Sequence, residues 1–171
     1  MSTQPVPPVD GTSDAERERV VRLTLRTLSA HAITVDSFAF DIDREPEQEP
    51  GRGRDIQVGT GKIRDVSFTK RPDAASAYLM KASLSGIEVG TVEITIARPG
   101  DDFDNAAEVG RELFDFEGCR ISAFGTRRVG GVSVERFSLR FERFAYSFVP
   151  AGLLTRERTG WDVVKNTYWD G

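Results

Sequence analysis

Residues Gly61–Gly86 read GKIRDVSFTKRPDAASAYLMKASLSG. Within Ile63–Lys70, Val66 and Phe68 share one parity while Asp65, Ser67 and Thr69 share the other, the period of a strand with one buried face. Ile63 falls on the wrong parity, which leaves the register at the strand's start open. Pro72 fixes its own φ and turns Arg71 away from helix, so the strand stops there. Asp73 then supplies a carboxylate for the unpaired amides of a new helix. Ala75, Tyr78, Leu79 and Ala82 follow at spacings i, i+3, i+4 and i+7, which predicts a short amphipathic helix over 73–85. Lys81 sits near its C-terminal end, where a cation suits the dipole, and Gly86 supplies the left-handed residue that stops it.

The flanking segments read as strands. Val21, Leu23 and Leu25 alternate with Arg22, Thr24 and Arg26, and Phe38, Phe40 and Ile42 alternate with Ser37, Ala39 and Asp41. Ser29–His31 is too short for a crossover helix, so these two strands are expected to pair as a hairpin. Downstream, Ile87–Arg98 predicts a strand with Val92, Ile94 and Ile96 inward, and Leu113–Phe124 and Val132–Val149 are two more, joined by Gly125–Gly131 (GTRRVGG) as the hairpin turn. In the last of these, Phe137, Leu139 and Phe141 hold one parity and Phe144, Tyr146 and Phe148 the other. That switch predicts a bulge near Glu142, or a strand whose two halves bury opposite faces. Trp161–Trp169 closes the chain as a further alternating segment.

Composition narrows the function classes. The chain has 171 residues, 29% of them charged, with a net charge of −4, which suits one domain and leaves no general nucleic-acid footprint. Gly51-Arg52-Gly53-Arg54 lacks the spacing of a phosphate loop and follows acidic Glu45, Glu47 and Glu49, so no nucleic-acid partner is expected. One cysteine, Cys119, excludes an internal disulfide framework and reads as a small buried residue. His31 has no second His or Cys to complete a zinc site. Asp101, Asp102 and Asp104 lack the glycine and the closing glutamate of a calcium loop, so they read as solvated. Carboxylates at i and i+2, such as Asp41 and Asp43, mark the wet face of a strand, and no triad or nucleophile elbow is present. No enzyme, metal or cofactor is expected.

Residues 1–16, with three prolines in Met1–Asp14, read as a disordered arm, and 17–171 as a single domain. The arm has no apolar run, so it is neither a secretory signal nor an anchor. No stretch reaches the roughly 18 apolar residues of a membrane helix, so no membrane insertion is expected. The expected fold is mainly β, an antiparallel barrel or sandwich of two packed sheets, about seven or eight strands, with one short helix.

Several pieces resemble, in order, the haemolysin-coregulated protein (Hcp) family, which forms the inner tube of the bacterial type VI secretion system. They are Val66–Lys70 (VSFTK) followed by Asp73 and a helix with Leu79-Met80 ahead of Gly86, Val92–Arg98 (VEITIAR), Ser138–Phe148 (SLRFERFAYSF) with Tyr146, and Gly160-Trp161-Asp162 with Asn166. The resemblance spans roughly Arg19–Asn166. It implies a hexameric ring, rings stacked into a tube, effector cargo in the lumen, and the secretion sheath and spike as partners. It further implies a cytoplasmic protein, later secreted without a signal peptide. The irregular segment Arg44–Gly61 is similar to the extended loop through which the family contacts neighbouring subunits or the next ring. Arg44, Glu45, Glu47, Gly51, Arg52, Arg54 and Ile56 are therefore the expected contact residues. Trp169 joins them because a tryptophan near the terminus is not expected to be wholly buried by its own chain. The tail tube of a phage or of another contractile injection system would share this fold. A monomeric β-barrel binding a small apolar ligand also explains the strand pattern, although the large inward residues Phe38, Phe40, Val66, Phe68, Ile94 and Ile96 argue for a filled interior.

Overall fold

The computed structural model describes residues 20–25, 32–43, 46–47, 57–58, 61–97, 110–148 and 157–170. The N-terminal arm, the turn at Ser29–His31 and the aspartates at 101–104 lie outside them.

The described residues form a mainly antiparallel β structure with one helix. In chain order the strands are β1 (Val20–Leu25), β2 (Ala32–Val35), β3 (Ser37–Ala39), β4 (Ile42–Asp43), β5 (Pro46–Glu47), β6 (Gln57–Val58), β7 (Lys62–Ile63) and β8 (Val66–Lys70). Helix α1 (Ser76–Ser85) follows, then β9 (Glu88–Ala97), β10 (Glu112–Val129), β11 (Val132–Arg140), β12 (Arg143–Phe148), β13 (Glu157–Asp162) and β14 (Thr167–Tyr168). These segments outnumber the expected strands because several are pieces of one strand interrupted by a bend or bulge.

β10 is the strand on which the ten-stranded sheet branches. Its first half lies between β9 and β12, while its second half pairs with β11. From β11 the sheet continues to β8 and β3, from β12 to β13 and β14, and from β9 to β1 and β2. The expected β1–β2 hairpin is present, with Leu23 opposite Ile33. At Asp36 the chain passes from β2 to β3, and the Asp36 amide donates to the Thr69 carbonyl at 2.8 Å. The sheet thus curls back toward β8 without a closed ladder. The bend also shifts the inward parity from Ile33 and Val35 to Phe38 and Phe40.

The concave face holds the core. Leu23, Leu25, Val66, Phe68, Val92, Ile94, Phe116, Phe137 and Leu139 are all at most 1% exposed. Phe68 and Phe137 are cross-strand partners whose rings stack at 4.7 Å, and Phe116 tilts against Phe141 at 4.7 Å. Helix α1 adds Leu79 and Ala82 to this core, as its spacing required. Burying aromatic side chains of this size contributes several kcal/mol each, and truncating one to Ala costs about 3–5 kcal/mol.

The parity switch near Glu142 is a break between β11 and β12. Both pair with the same edge of β10, and Phe141 and Glu142 between them lie outside the ladder. Glu142 donates its amide to Glu117 at 2.9 Å and accepts from the Val163 amide at 2.8 Å. Opposite it stands Gly118, with φ 64°, where a Cβ would come within 2.7 Å of the Glu142 side chain. Beyond the break, Phe144 on one face and Ala145 and Ser147 on the other are all buried. Thr95 and Ala97 of β9 and Leu113 of β10 are buried as well, so this part of the sheet is covered on both sides.

Three local expectations are corrected. The first residues of the opening strand belong to a separate pairing, β7 with β4, which explains why Ile63 was out of register with Val66. The β10–β11 strands run on to Val129 and Val132, leaving a two-residue turn of Gly130 (φ 57°) and Gly131 (φ 83°). Both positions are left-handed, the geometry that matches strand twist in a tight hairpin and that glycine adopts without strain. The C-terminal segment is a hairpin, β13 with β14, rather than one strand.

Candidate assembly surface

The chain leaves the sheet after Phe40 as a two-stranded arm. β4 pairs with β7, and further out β5 pairs with β6, Pro46 opposite Val58 and Glu47 opposite Gln57. The Arg64 amide donates to the Asp41 carbonyl at 3.2 Å, and its guanidinium meets the Asp43 carboxylate at 2.6 Å. Both side chains of that pair are largely exposed, so it orients the arm's root more than it stabilises the fold. Of the expected contact residues, Glu47 lies on β5, and Arg44, Glu45, Gly51, Arg52, Arg54 and Ile56 lie outside the described residues. Ile42, expected inward, is 56% exposed and lies on the two-stranded β4–β7 pairing, outside the large sheet.

At the corner after β8, Lys70 continues the inward parity of Val66 and Phe68, and its side chain is fully buried. Its ammonium donates to the Arg71 carbonyl at 3.0 Å and to Ser76 Oγ at 3.1 Å, and it contacts Asp73 Oδ1 and Glu135 Oε2, each at 2.8 Å. Ser76 Oγ also donates to Glu135 Oε2 at 2.8 Å. Asp73 Oδ1 accepts from the Ala75 amide at 2.9 Å, so this carboxylate shapes the turn before the helix. The helix starts at Ser76, with Ala75 at the N-cap position and no side-chain cap bond, three residues later than the sequence predicts. Lys81 is not in the last turn. Gly86, at φ 62°, closes the helix as expected, its amide reaching the Ala82 carbonyl at 3.0 Å. The network ties β8, α1 and β11 together with each polar partner satisfied, the condition under which a buried ion pair is tolerated.

Of the closing pattern, Gly160, Asp162 and Asn166 each have a physical role. At Gly160 a Cβ would lie 2.5 Å from the Trp169 carbonyl oxygen and 3.0 Å from that of Phe144, so only glycine admits the two neighbouring backbones. Asp162 accepts from the Lys165 amide at 2.8 Å and from Arg143 Nε at 3.1 Å. The amide bond, then Arg143, holds its carboxyl below the ordinary carboxylate value. Asn166 has φ 54°, a left-handed position that asparagine tolerates better than other residues bearing a side chain. Trp169 is half-buried, its amide donating to the Gly160 carbonyl at 3.2 Å and its ring lying 5.9 Å from the Arg143 guanidinium.

Between the root of the arm and β12–β13 opens a cavity of about 560 Å³. Phe40, Ile42, Ile63, Phe114, Phe144, Tyr146 and Trp161 line it, with Glu112 at one side. Elsewhere the exposed large apolar residues include Met80 and Leu84 on α1, Val129 and Val132 at the β10–β11 turn, and Val164 and Tyr168 at the C-terminal hairpin. β14 forms an end of the sheet order, and strand edges are places where another chain can pair. Cys119 is buried at the β9–β10 irregularity, and burial pushes its thiol up to about 12, which leaves it unreactive at neutral pH. Among the described residues, no group of three His, Cys, Asp or Glu is placed to hold a metal ion.

Sequence reading missed the Lys70–Glu135 pair. The signal was available: each falls on the parity of its strand's buried aromatics, Phe68 and Phe137. The cavity had no such signal, since its walls come from strands far apart in the chain.

Residues 26–148, more than half the chain, match the family model described as "Type VI secretion system effector, Hcp". No curated protein matches the sequence. Among solved structures, the chain is similar to Hcp1 from Salmonella typhimurium, with 16% identity and a TM-score of 0.70 over 89% of this chain and 99% of that one. It is also similar to a structure described as a type six secretion system protein, with 21% identity and a TM-score of 0.71 over 88% and 99%. A type VI secretion system effector from Yersinia pestis aligns at 14% identity and a TM-score of 0.59 over 84% and 99%. At such identities the structural likeness speaks for the fold, and the family model speaks for descent: the chain belongs to the Hcp family of type VI secretion system effectors.

Proposed function

We propose that six copies of this chain form a closed ring, that rings stack into a tube, and that the lumen carries or shelters effector cargo as part of a type VI secretion machine. The match of residues 26–148 to the Hcp family carries this reading. Physically, a ring needs a heterologous interface, one surface of each copy meeting a different surface of the next. The β14 edge, the exposed Val164 and Tyr168 beside it, and the exposed apolar residues of α1 and the β10–β11 turn are spread over separate parts of the chain, as such an interface requires. The arm formed by β4–β7 provides reach toward a neighbouring copy or the next ring, with Arg44, Glu45, Glu47, Gly51, Arg52, Arg54 and Ile56 as its contact residues. Trp169 is proposed at the side-to-side interface. In this scheme residues 17–171 are the assembling domain, preceded by an arm over 1–16. The chain works without cofactor or catalysis, meets the sheath and spike as partners, and passes from the cytoplasm to the exterior through the machine.

Light scattering on a size-exclusion column tests the ring. A mass near six times 18.9 kDa supports it, and a monomer at micromolar concentration refutes self-assembly. Negative-stain electron microscopy of the same fractions then separates isolated rings from stacked ones.

A further inference from the structure

The cavity under the arm's root has five aromatic side chains in its wall, Phe40, Phe114, Phe144, Tyr146 and Trp161. Its volume of about 560 Å³ lies in the range of sites that enclose a small molecule or a short peptide. The strand register shows which part of the chain arrives at its rim. Val21 pairs with Ile96, and Ile96 pairs with Glu112, which is itself in the cavity wall. With neighbouring strands about 4.8 Å apart, Val21 stands about 10 Å from Glu112. Parity places Val21, Ile96 and Glu112 on the same concave face as Phe114.

β1 thus begins close to this wall. Within the residues before it, Pro5-Val6-Pro7-Pro8-Val9 is a short uncharged stretch of prolines and valines, while Asp10–Arg19 carries the charges. A linker of that length spans up to about 33 Å when extended, roughly three times the distance needed. Proline presets φ and favours the extended left-handed helix, so little entropy is lost when such a segment is ordered. Aromatic-lined grooves are the surfaces that bind proline-rich segments of this kind.

We propose that Pro5–Val9 docks in the cavity of its own chain as a proline-rich occupant, covering the aromatic wall that the sheet leaves open. Tethering makes this effective even if the contact is weak. At an effective concentration of about 1 mM, a segment that binds as a free peptide with Kd of about 0.1 mM occupies the site about ten to one.

The test uses the full chain labelled with 5-fluorotryptophan, whose two 19F resonances are assigned with Trp169→Phe. In V6S/P7S/P8S/V9S, which alters no residue of the folded sheet, the Trp161 resonance is expected to move while that of Trp169 stays. Adding a synthetic peptide of residues 1–13 at millimolar concentration is expected to return it. A Trp161 resonance indifferent to the change in Pro5–Val9, or one that the peptide fails to return, overturns the docking. If Trp161 ignores Pro5–Val9 but responds to 1-anilinonaphthalene-8-sulfonate, the cavity belongs to a small apolar ligand. A wild-type signal that reverts to the variant's on dilution assigns the cavity to the arm of a second copy and overturns the intramolecular contact.

Discussion

Replacing Lys70 by methionine tests the buried network. The substitution keeps an unbranched side chain, one atom shorter, and removes its charge. Glu135, whose side chain is 4% exposed, then loses its counter-ion and keeps the Ser76 hydroxyl as a donor. Asp73 is 39% exposed and regains water, so its share of the loss is small. Breaking one partner of a buried pair costs about 3–5 kcal/mol, largely because the other charge is stranded. For a chain of this size about 1 kcal/mol moves the midpoint by about 2–4 °C, so Lys70→Met should lower Tm by roughly 6–20 °C. Glu135→Leu should cost less, because Lys70 keeps Asp73 at 2.8 Å as its anion. The double variant Lys70→Met/Glu135→Leu strands neither charge and should recover most of the loss, since an apolar pair can replace a buried ion pair at little cost. Urea unfolding followed by circular dichroism gives the three free energies, and the double-mutant cycle gives the coupling. Single losses below about 1 kcal/mol, or a double variant as unstable as the sum of the two, would refute the argument that stranded charge is what makes this corner costly to break.

Three further outcomes follow from the C-terminal hairpin. Gly160→Ala drives a Cβ against two backbone carbonyls, at 2.5 Å and 3.0 Å, which should cost about 1–3 kcal/mol and speed amide exchange at Trp169; unchanged exchange there would show that the backbones yield freely. Asn166, at φ 54°, should tolerate glycine within a few tenths of a kcal/mol, while Asn166→Ala should cost about 1 kcal/mol. Equal stability of the two variants would remove conformational strain as the reason for asparagine. Asp162 has its carboxyl lowered from the ordinary 3.8 by the Lys165 amide first and Arg143 after it. A lowered folded value means that its contribution is present above pH 3.8 and is lost as pH falls through the folded value. Stability measured from pH 6 to pH 2 should therefore fall less steeply at the acid end in Asp162→Asn than in the wild type, and parallel curves would contradict the assignment.

Local physics was legible in the chain. Alternation placed Val66, Phe68, Val92, Ile94, Phe137 and Leu139 inward, and the structure buries all six. Helical spacing located α1, Gly86 marked its end, and the change of parity after Phe141 marked the break at Glu142. Each of these is set by neighbours within a few residues, through steric limits on φ and the repeat of side-chain direction. What the sequence could not supply came from pairing between distant segments. Asp73 looked like a helix cap, but it serves the turn and Lys70, so the helix begins later. Ile42 looked inward by parity, and is exposed on the two-stranded β4–β7 pairing outside the large sheet. Gly160 stood out only as part of the Gly160-Trp161-Asp162 resemblance, whereas its necessity comes from two carbonyls brought against it by Phe144 and Trp169. The Lys70–Glu135 pair and the aromatic cavity exist only once β8 meets β11 and β12 meets the root of the arm. Alternation tells which way a side chain points, and only tertiary pairing decides what it meets there.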